Sequence, residues 1–458
     1  MSILTKDRQF YKTLFTIALP VALQQLISLA VVMLDNVMVG SLGDISLSAV
    51  SQANQVTVFF TFFVRGISGG AALLISQYWG KKDTGRIKQI FSMTFITTVV
   101  LAGTVTLFVF LFPDTVVKFF SNNTDILSEA TSYIKIACFS YILFAVSDTF
   151  IAMLRCIEIV KITFIVSIIS FFTNLGGNYI LIFGKFGLPA MGIRGAATAT
   201  VIARGIELII VMIFFFKGQK KLSVRPKDLF YAEKPMWKDF FRYGIPVIVG
   251  DVQWGLVGVV KAVIIGRLTV EMMAAVSITD VVMQLGLIFA NGLAAGACVI
   301  IGKTVGINDF AKTREYSRSI EIIFAVVGII MGALVFTLRF IPVSLYTEIS
   351  QQTKDLAKQL LAIGAVSLMG TSYHMACFTG INRGAGDSRF VFFVDMICGW
   401  LVVLPLSAIS AAGYLNSWSP LFTLPLVYLC TRIDQCFKWI IALIRLRGNK
   451  WIRNVTRE

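Results

Sequence analysis

Charge is scarce in this chain. Of its 458 residues only 14% are Asp, Glu, Lys or Arg, against about 25% in soluble domains, and 57% are hydrophobic. With a mean hydropathy of +0.80, a soluble globular protein is excluded. Histidine is nearly absent: His374 is the only one, which removes multi-histidine metal chemistry. The seven cysteines are scattered singly with no Cys-x-x-Cys pair, so neither a disulfide framework nor a zinc site is expected. There is no nucleotide-binding loop, no His-Glu-x-x-His and no nucleophile elbow. The chain is therefore expected to be no enzyme, to carry no cofactor and to draw no energy from ATP. The short alternating segments of an outer-membrane barrel are also missing.

What the chain does have is apolar runs of about twenty residues, long enough to cross a bilayer as helices. Twelve are expected, at 14–39, 49–76, 90–112, 130–153, 162–184, 192–216, 243–266, 275–302, 318–341, 357–380, 389–411 and 419–444. The fold class is thus an all-α integral membrane bundle. Its net charge of +16 does not point to nucleic acid, because the basic residues form no single face. They sit instead in alternate connections, such as Lys81, Lys82, Arg86 and Lys88, or Lys217 to Lys227. The intervening connections, Pro113–Asp125 and Thr347–Lys358 among them, are poorer in net positive charge. By the positive-inside rule both termini lie in the cytoplasm, which requires an even number of spans, and the protein is expected in the cell (inner) membrane. The first apolar segment is too long for a signal-peptide core and holds Asp35, so no cleavable signal is expected.

The twelve segments fall into two copies. Pro20 and Pro246, Gly40 and Gly266, Gly66 and Gly292, Gly70 and Gly296, Gly80 and Gly306, and Asp83 and Asp309 are all 226 residues apart. An even number of spans per copy makes the repeats parallel. The expected organisation is a six-helix lobe at 1–216, a cytoplasmic linker at 217–242, a second six-helix lobe at 243–444 and a basic cytoplasmic tail at 445–458. The linker contains the only long polar stretch, with an amphipathic part around Leu229-Phe-Tyr231, Trp237 and Phe240 as one reading and a plain tether as the other.

Polar residues inside the apolar runs carry the functional signal, since a charge there costs roughly 2.5–3.5 kcal/mol on insertion scales. In the first copy the foremost is Asp35, beside Asn36. Asn174 and Asn178, one helical turn apart, can join it if their helices are neighbours; helix-to-helix hydrogen bonding is the alternative. Arg204 and Glu207, three apart, read as a structural ion pair, and Arg65 needs an acid or carbonyl partner. The second copy offers Asp251, Trp254, Lys261, Asp280, Gln284, His374, Asp387 and Asp395. Lys261 stands at the repeat position of Asp35, so the copies carry opposite charges there, and an ion pair with Asp280 or Asp251 is the favoured reading. Acids beside Trp and Met side chains suit organic cations through charge and cation–π attraction. Gln55, Trp254, Asp280, Gln284 and Met283 are the expected substrate contacts, with plain packing the alternative for the methionines.

Together these strings resemble the multidrug and toxic compound extrusion (MATE) transporters across essentially the whole chain. The marks are Pro20 with Asp35-Asn-Val-Met-Val-Gly40, Gln77-Tyr-Trp-Gly80, Asn174-x-x-x-Asn178-Tyr-Ile-Leu-Ile-Phe-Gly184 and Gly192-Ile-Arg-Gly-Ala-Ala197. Ile245-Pro-Val247 with Asp251, and Gly380-Ile-Asn-Arg-Gly-Ala-Gly-Asp387, add to them. The resemblance implies two lobes in a V-shaped bundle and alternating-access export of amphipathic, often cationic organic compounds in exchange for sodium or protons. It also implies that Asp35 is the coupling carboxylate and the place for a sodium ion, with Asn174, Asn178, Asp251 and Asp387 as further cation-coupling candidates. The expected partners are such compounds and the lipid bilayer, with no nucleic acid and a monomeric state. Two departures stand out: some members have Asp where this chain has Asn178, and Leu154-Arg-Cys-Ile-Glu158 lacks the glycine of the Arg-Gly motif. The competing function is a flippase for a lipid-linked sugar or other lipid, which Arg65, Arg204 and Lys261 keep open.

Overall fold

The computed structural model describes residues 4–119, 124–346, 349–448 and 450–457. Residues 120–123 and 347–348, in the two connections poorer in net positive charge, and residues 449 and 458 of the basic tail lie outside it. Among the described residues there is no strand. The helices are α1 (Arg8–Gly40), α2 (Asp44–Gly80), α3 (Thr84–Leu111), α4 (Pro113–Lys118), α5 (Thr124–Ala137), α6 (Phe139–Cys156), α7 (Lys161–Phe183) and α8 (Ile193–Ile213). They continue with α9 (Lys234–Gly266), α10 (Val270–Gly306), α11 (Phe310–Leu338), α12 (Phe340–Ser344), α13 (Gln351–Met375), α14 (Ser388–Met396), α15 (Leu404–Leu415), α16 (Leu424–Thr431) and α17 (Ile433–Arg447). Eleven helical stretches among the described residues are long and apolar enough to cross a membrane. The twelfth expected span is there but interrupted: α16 and α17 are separated at Arg432, whose backbone leaves the helix (φ −126°, ψ 9°).

The repeat is visible in local geometry. Lys82 and Asn308, at equivalent positions, both adopt left-handed φ (59° and 61°). The amides of Asp83 and Asp309 bond back to the carbonyls of Tyr78 and Thr304, each at 3.1 Å, which ends the preceding helix. Their carboxylates then cap the next one, accepting from the amides of Arg86 and Lys312 at 3.0 Å each. One short sequence signal thus stops a helix and starts another, twice.

The chain forms two compact units. The first is Leu23–Ile248; the second joins the segment up to Ala22 to everything from Val249 onward. Both divisions fall inside a helix, two residues beyond the prolines Pro20 of α1 and Pro246 of α9. Each unit therefore contains the opening part of the other repeat's leading helix. The paired glycines explain how these parts are held. In the second unit Gly292 and Gly296 of α10 lie against α1: a Cβ at 292 would strike the Ala18 carbonyl, and one at 296 would sit 3.0 Å from that of Leu14. In the first unit a Cβ at Gly66 or Gly70 of α2 would come within 2.8 Å of the Ile248 or Gly244 Cα of α9. Small residues that let two backbones approach are the usual device of membrane helix packing. Core residues follow suit, with Phe10, Leu14 and Ala18 packed among Ala290, Leu293 and Ala297 in the second unit.

Segments that the sequence marked as polar are also ordered by specific bonds. The Leu229 carbonyl in the linker accepts from Ser92 of α3 at 2.9 Å, and Glu233 pairs with Arg86 at 2.8 Å, so this stretch is docked rather than a plain tether. Asp7 receives a hydrogen bond from Tyr316 and lies 3.2 Å from Lys312, which together hold its carboxyl at about 2. The basic tail folds back onto the second unit, where Trp451 is fully buried and the Arg453 amide donates to the Ala385 carbonyl at 2.8 Å.

Candidate functional site

In the first unit the polar groups converge on Asp35. The hairpin α7–α8 makes this possible: Gly177 meets Ala199 (3.0 Å from a built Cβ), and a Cβ at Gly195 would lie 2.6 Å from the Leu181 carbonyl. Gly184 and Gly192, both at positive φ (66° and 55°), shape the connection between these helices. The close approach brings Thr200 of α8 to α7, where its hydroxyl accepts from Asn174 at 3.3 Å. Asn178 then donates twice through Nδ2, to Asn174 Oδ1 at 3.3 Å and to Asp35 Oδ1 at 2.5 Å. Asn174 and Asn178 are buried, while Asp35 is half-buried on α1. Asn178 Oδ1 has no hydrogen-bond partner although it is shielded from solvent. Near Asp35 lies Tyr133, whose hydroxyl reaches Asn54 at 3.5 Å. Arg204 is paired with Glu207 at 2.9 Å, as its spacing predicts, and remains within coulombic reach of Asp35.

Asp35 is thus a carboxylate inside a membrane helix that forms no salt bridge among the described residues. A carboxylate beside two amides and a hydroxyl has the donor set for one monovalent cation or one proton. It lacks the charge for a divalent metal, and among the described residues no three His, Cys, Asp or Glu side chains come together. Gln55 is exposed on α2, on the same stripe as Ser51, Val58 and Arg65, and is not part of the Asp35 cluster. Arg65 makes no hydrogen bond or ion pair among the described residues, so the acid or carbonyl partner expected for it is not found.

In the second unit Glu321 of α11 accepts from Tyr373 at 2.9 Å and Ser317 at 3.2 Å, but the acids singled out in the sequence are held by cations. Asp251 of α9 is paired with Arg383, through a contact at 3.2 Å and a second, shorter one. Asp280 of α10 takes Arg432 at 2.8 Å. Asp387, fully buried, is held by Arg445 at 2.7 Å and Arg453 at 3.2 Å. Lys438, 2% exposed, lies between Asp434 at 2.7 Å and Asp395 at 3.0 Å. The ion pair expected of Lys261 with Asp280 or Asp251 is not formed, because both acids already hold arginines. Lys261 instead donates to the Thr431 carbonyl at 3.4 Å. Trp254 and Gln284 are exposed, whereas Met283 is a core side chain, 2% exposed and wedged against Gly364. Its polarisable sulfur is used for packing.

Sequence reasoning overlooked Thr200 and Tyr133, which carry no charge to betray them. It also overlooked the pair Asp434 and Lys438, although their spacing of four on one helix face was a usable signal.

Comparison with known proteins matches this architecture. The MatE family profile fits residues 20–180 and 246–409, beginning both times at the helix proline. The uncharacterized transporter YisQ of Bacillus subtilis is 23% identical over 450 residues, spanning 98% of this chain and 96% of its own length. The probable multidrug resistance protein NorM of Thermotoga maritima is 24% identical, spanning 98% and 95%. Among solved structures, an outward-facing multidrug resistance MATE family transporter of the MOP superfamily superposes with a TM-score of 0.85 at 17% identity, covering 97% of this chain and 98% of that one. A mutant of the Vibrio cholerae MATE transporter VcmN gives 0.86 at 15% identity, covering 98% of each. The fold, the duplicated profile and the apolar helices agree: this chain belongs to the MatE (multidrug and toxic compound extrusion) family, multi-pass membrane transporters and not enzymes.

Proposed function

We propose that the protein exports amphipathic organic compounds by alternating access, driven by inward flow of sodium or protons that bind at Asp35. The observation that carries this reading is the hydrogen-bonded chain Asp35–Asn178–Asn174–Thr200, a carboxylate at membrane depth satisfied by amides rather than by a fixed cation. A partner with a permanent positive charge would neutralise the acid once and for all. Neutral amide donors leave its charge available to a cation that comes and goes. With Nδ2 turned to Asp35, Asn178 favours the ionised carboxylate; turning the amide over would present the unpartnered Oδ1 to a bound sodium.

Coupling requires that the cation bind one conformation better than the other, since equal affinity for both shifts nothing. Loading Asp35 removes a buried negative charge and changes which packing of α1 against α7 is preferred. The ionised form then favours the state that accepts an organic cation from the cytoplasm. Names of relatives such as the multidrug resistance protein NorM support a drug-like cargo. Basic connections support a cell-membrane location with both termini cytoplasmic, and a monomer is expected.

The test is dye efflux from vesicles with sodium and proton gradients imposed separately. Wild-type protein is expected to respond to at least one gradient and Asp35→Asn to neither. Gradient-driven efflux by Asp35→Asn at wild-type rate overturns the coupling role. Transport of an undecaprenyl-type lipid without any response to dyes would favour the flippase instead.

A further inference from the structure

On the second unit, α9 presents two opposite faces that the rest of the unit leaves at least partly uncovered. Val249, Leu256, Val259 and Val263 form one stripe, all apolar, as suits contact with lipid tails. The exposed Trp254 and Gly258 and the half-buried Lys261, spaced four and three apart, form the other, roughly half a turn away. A lysine and its polar neighbours cannot face hydrocarbon without a large penalty, so this second stripe borders water within the membrane. Trp254 is 56% exposed, and nothing lies within 4 Å of a Cβ built on Gly258.

Next to Lys261 stand Arg432 with Asp280, whose side chain is 48% exposed. The remaining neighbours with electrostatic reach are Asp434 and Lys438, buried behind them in the triad with Asp395. The half-buried Lys261 and Arg432 and the more exposed Asp280 therefore make a layer of two cations and one acid, and the opposing negative charge is inside, already engaged by Lys438. An ammonium group has three donors; Lys261 uses one of them on a 3.4 Å contact to the Thr431 carbonyl. The groups that line this stripe are an aromatic face, an open floor at a glycine and a cation with donors to spare.

We infer that this stripe is a subsite for a carboxylate carried by an aromatic amphiphile: Lys261 takes the carboxylate, Trp254 covers the ring and Gly258 leaves room for it. Resting on the export function proposed above, the inference names the place in this chain where the acid of such a cargo is held. The repeat sharpens the point, because the position that is an acid in the first copy (Asp35) is the anion-binding lysine in the second.

Two dyes that differ only in this group test it: rhodamine 110, with a free carboxylate, and rhodamine 123, its methyl ester. Binding is read by dye anisotropy on purified protein and transport by efflux from vesicles. Lys261→Gln is expected to weaken rhodamine 110 about ten-fold or more, the size of a lost charge-assisted hydrogen bond, and to leave rhodamine 123 within about two-fold. Lys261→Arg is expected to restore rhodamine 110. An equal effect of Lys261→Gln on both dyes, or none on either, overturns the subsite. If that variant does not fold, Gly258→Leu replaces it: the leucine fits the open floor and is expected to weaken both dyes, and unchanged binding overturns the proposal. Wild-type protein that binds the dyes but moves neither under any gradient would sink the export reading and leave the subsite to be judged on binding alone.

Discussion

Asp35 in the first unit and Asp251 and Asp280 in the second are carboxylates within apolar helices, yet they are satisfied by opposite means. In the first, Asp35 rests on neutral amides. In the second, Asp251, Asp280 and Asp387 each hold an arginine, and Asp395 and Asp434 share Lys438. An acid with a permanent counter-ion is a fastener, because removing either member strands a charge in low dielectric. An acid with amide partners keeps a net charge that a mobile ion can answer. Charge pairing is not confined to the second unit, since Glu207 holds Arg204 in the first; what sets Asp35 apart is that its hydrogen-bond partners are neutral amides.

That contrast can be broken most sharply by comparing Asp35→Asn with Asp251→Asn. The first is expected to reduce gradient-driven efflux to background with little change in the temperature at which the purified protein loses its monodisperse peak. The second is expected to do the reverse in kind. It leaves Arg383 unpaired, costs roughly 3–5 kcal/mol of stability and lowers that temperature. If Asp251→Asn is as stable as wild type but inactive, the division of roles fails. A smaller effect probes packing. Gly292→Val and Gly66→Val, at equivalent positions, should each destabilise by about 1–3 kcal/mol through collision with the adjacent backbone, measured the same way. The most delicate change is Asn178→Asp, which gives the first unit a second carboxylate. The number of cations moved per cycle, read from the reversal potential of dye efflux in vesicles, is expected to rise, and no change would argue against Asn178 as part of the ion site.

Much of the fold could be read in the sequence because its cause is local. Apolar length sets each helix, and Asp83 and Asp309 announce the turns they cap. The site was half legible. Asp35 declared itself by the penalty of a charge in an apolar run, and Asn174 and Asn178 by sharing a helix face. Partners across helices were not legible, because nothing in the residues near Lys261 reveals that Asp280, 19 positions on, is already taken by Arg432, a further 152 positions away. The interruption at Arg432 was hidden too: Thr431-Arg-Ile-Asp-Gln435 is polar but holds neither glycine nor proline to announce a break. Met283 shows the converse limit: composition names a side chain suited to ligand or core, and only packing against Gly364 decides.

The sharing of helix openings between the units also sets an order of assembly. Residues 234–248 leave the ribosome after the rest of the first unit, so that unit can be completed as soon as they emerge. The second unit cannot follow the same rule. The stretch with Leu14 and Ala18 is synthesised early, but its seat beside Gly292 and Gly296 comes about 270 residues later, a delay of some 15–55 s at ordinary synthesis rates. During that interval the opening of α1 must wait in the membrane without its groove. The second unit is then closed by contacts of very high sequence separation, the kind that form last and slowest.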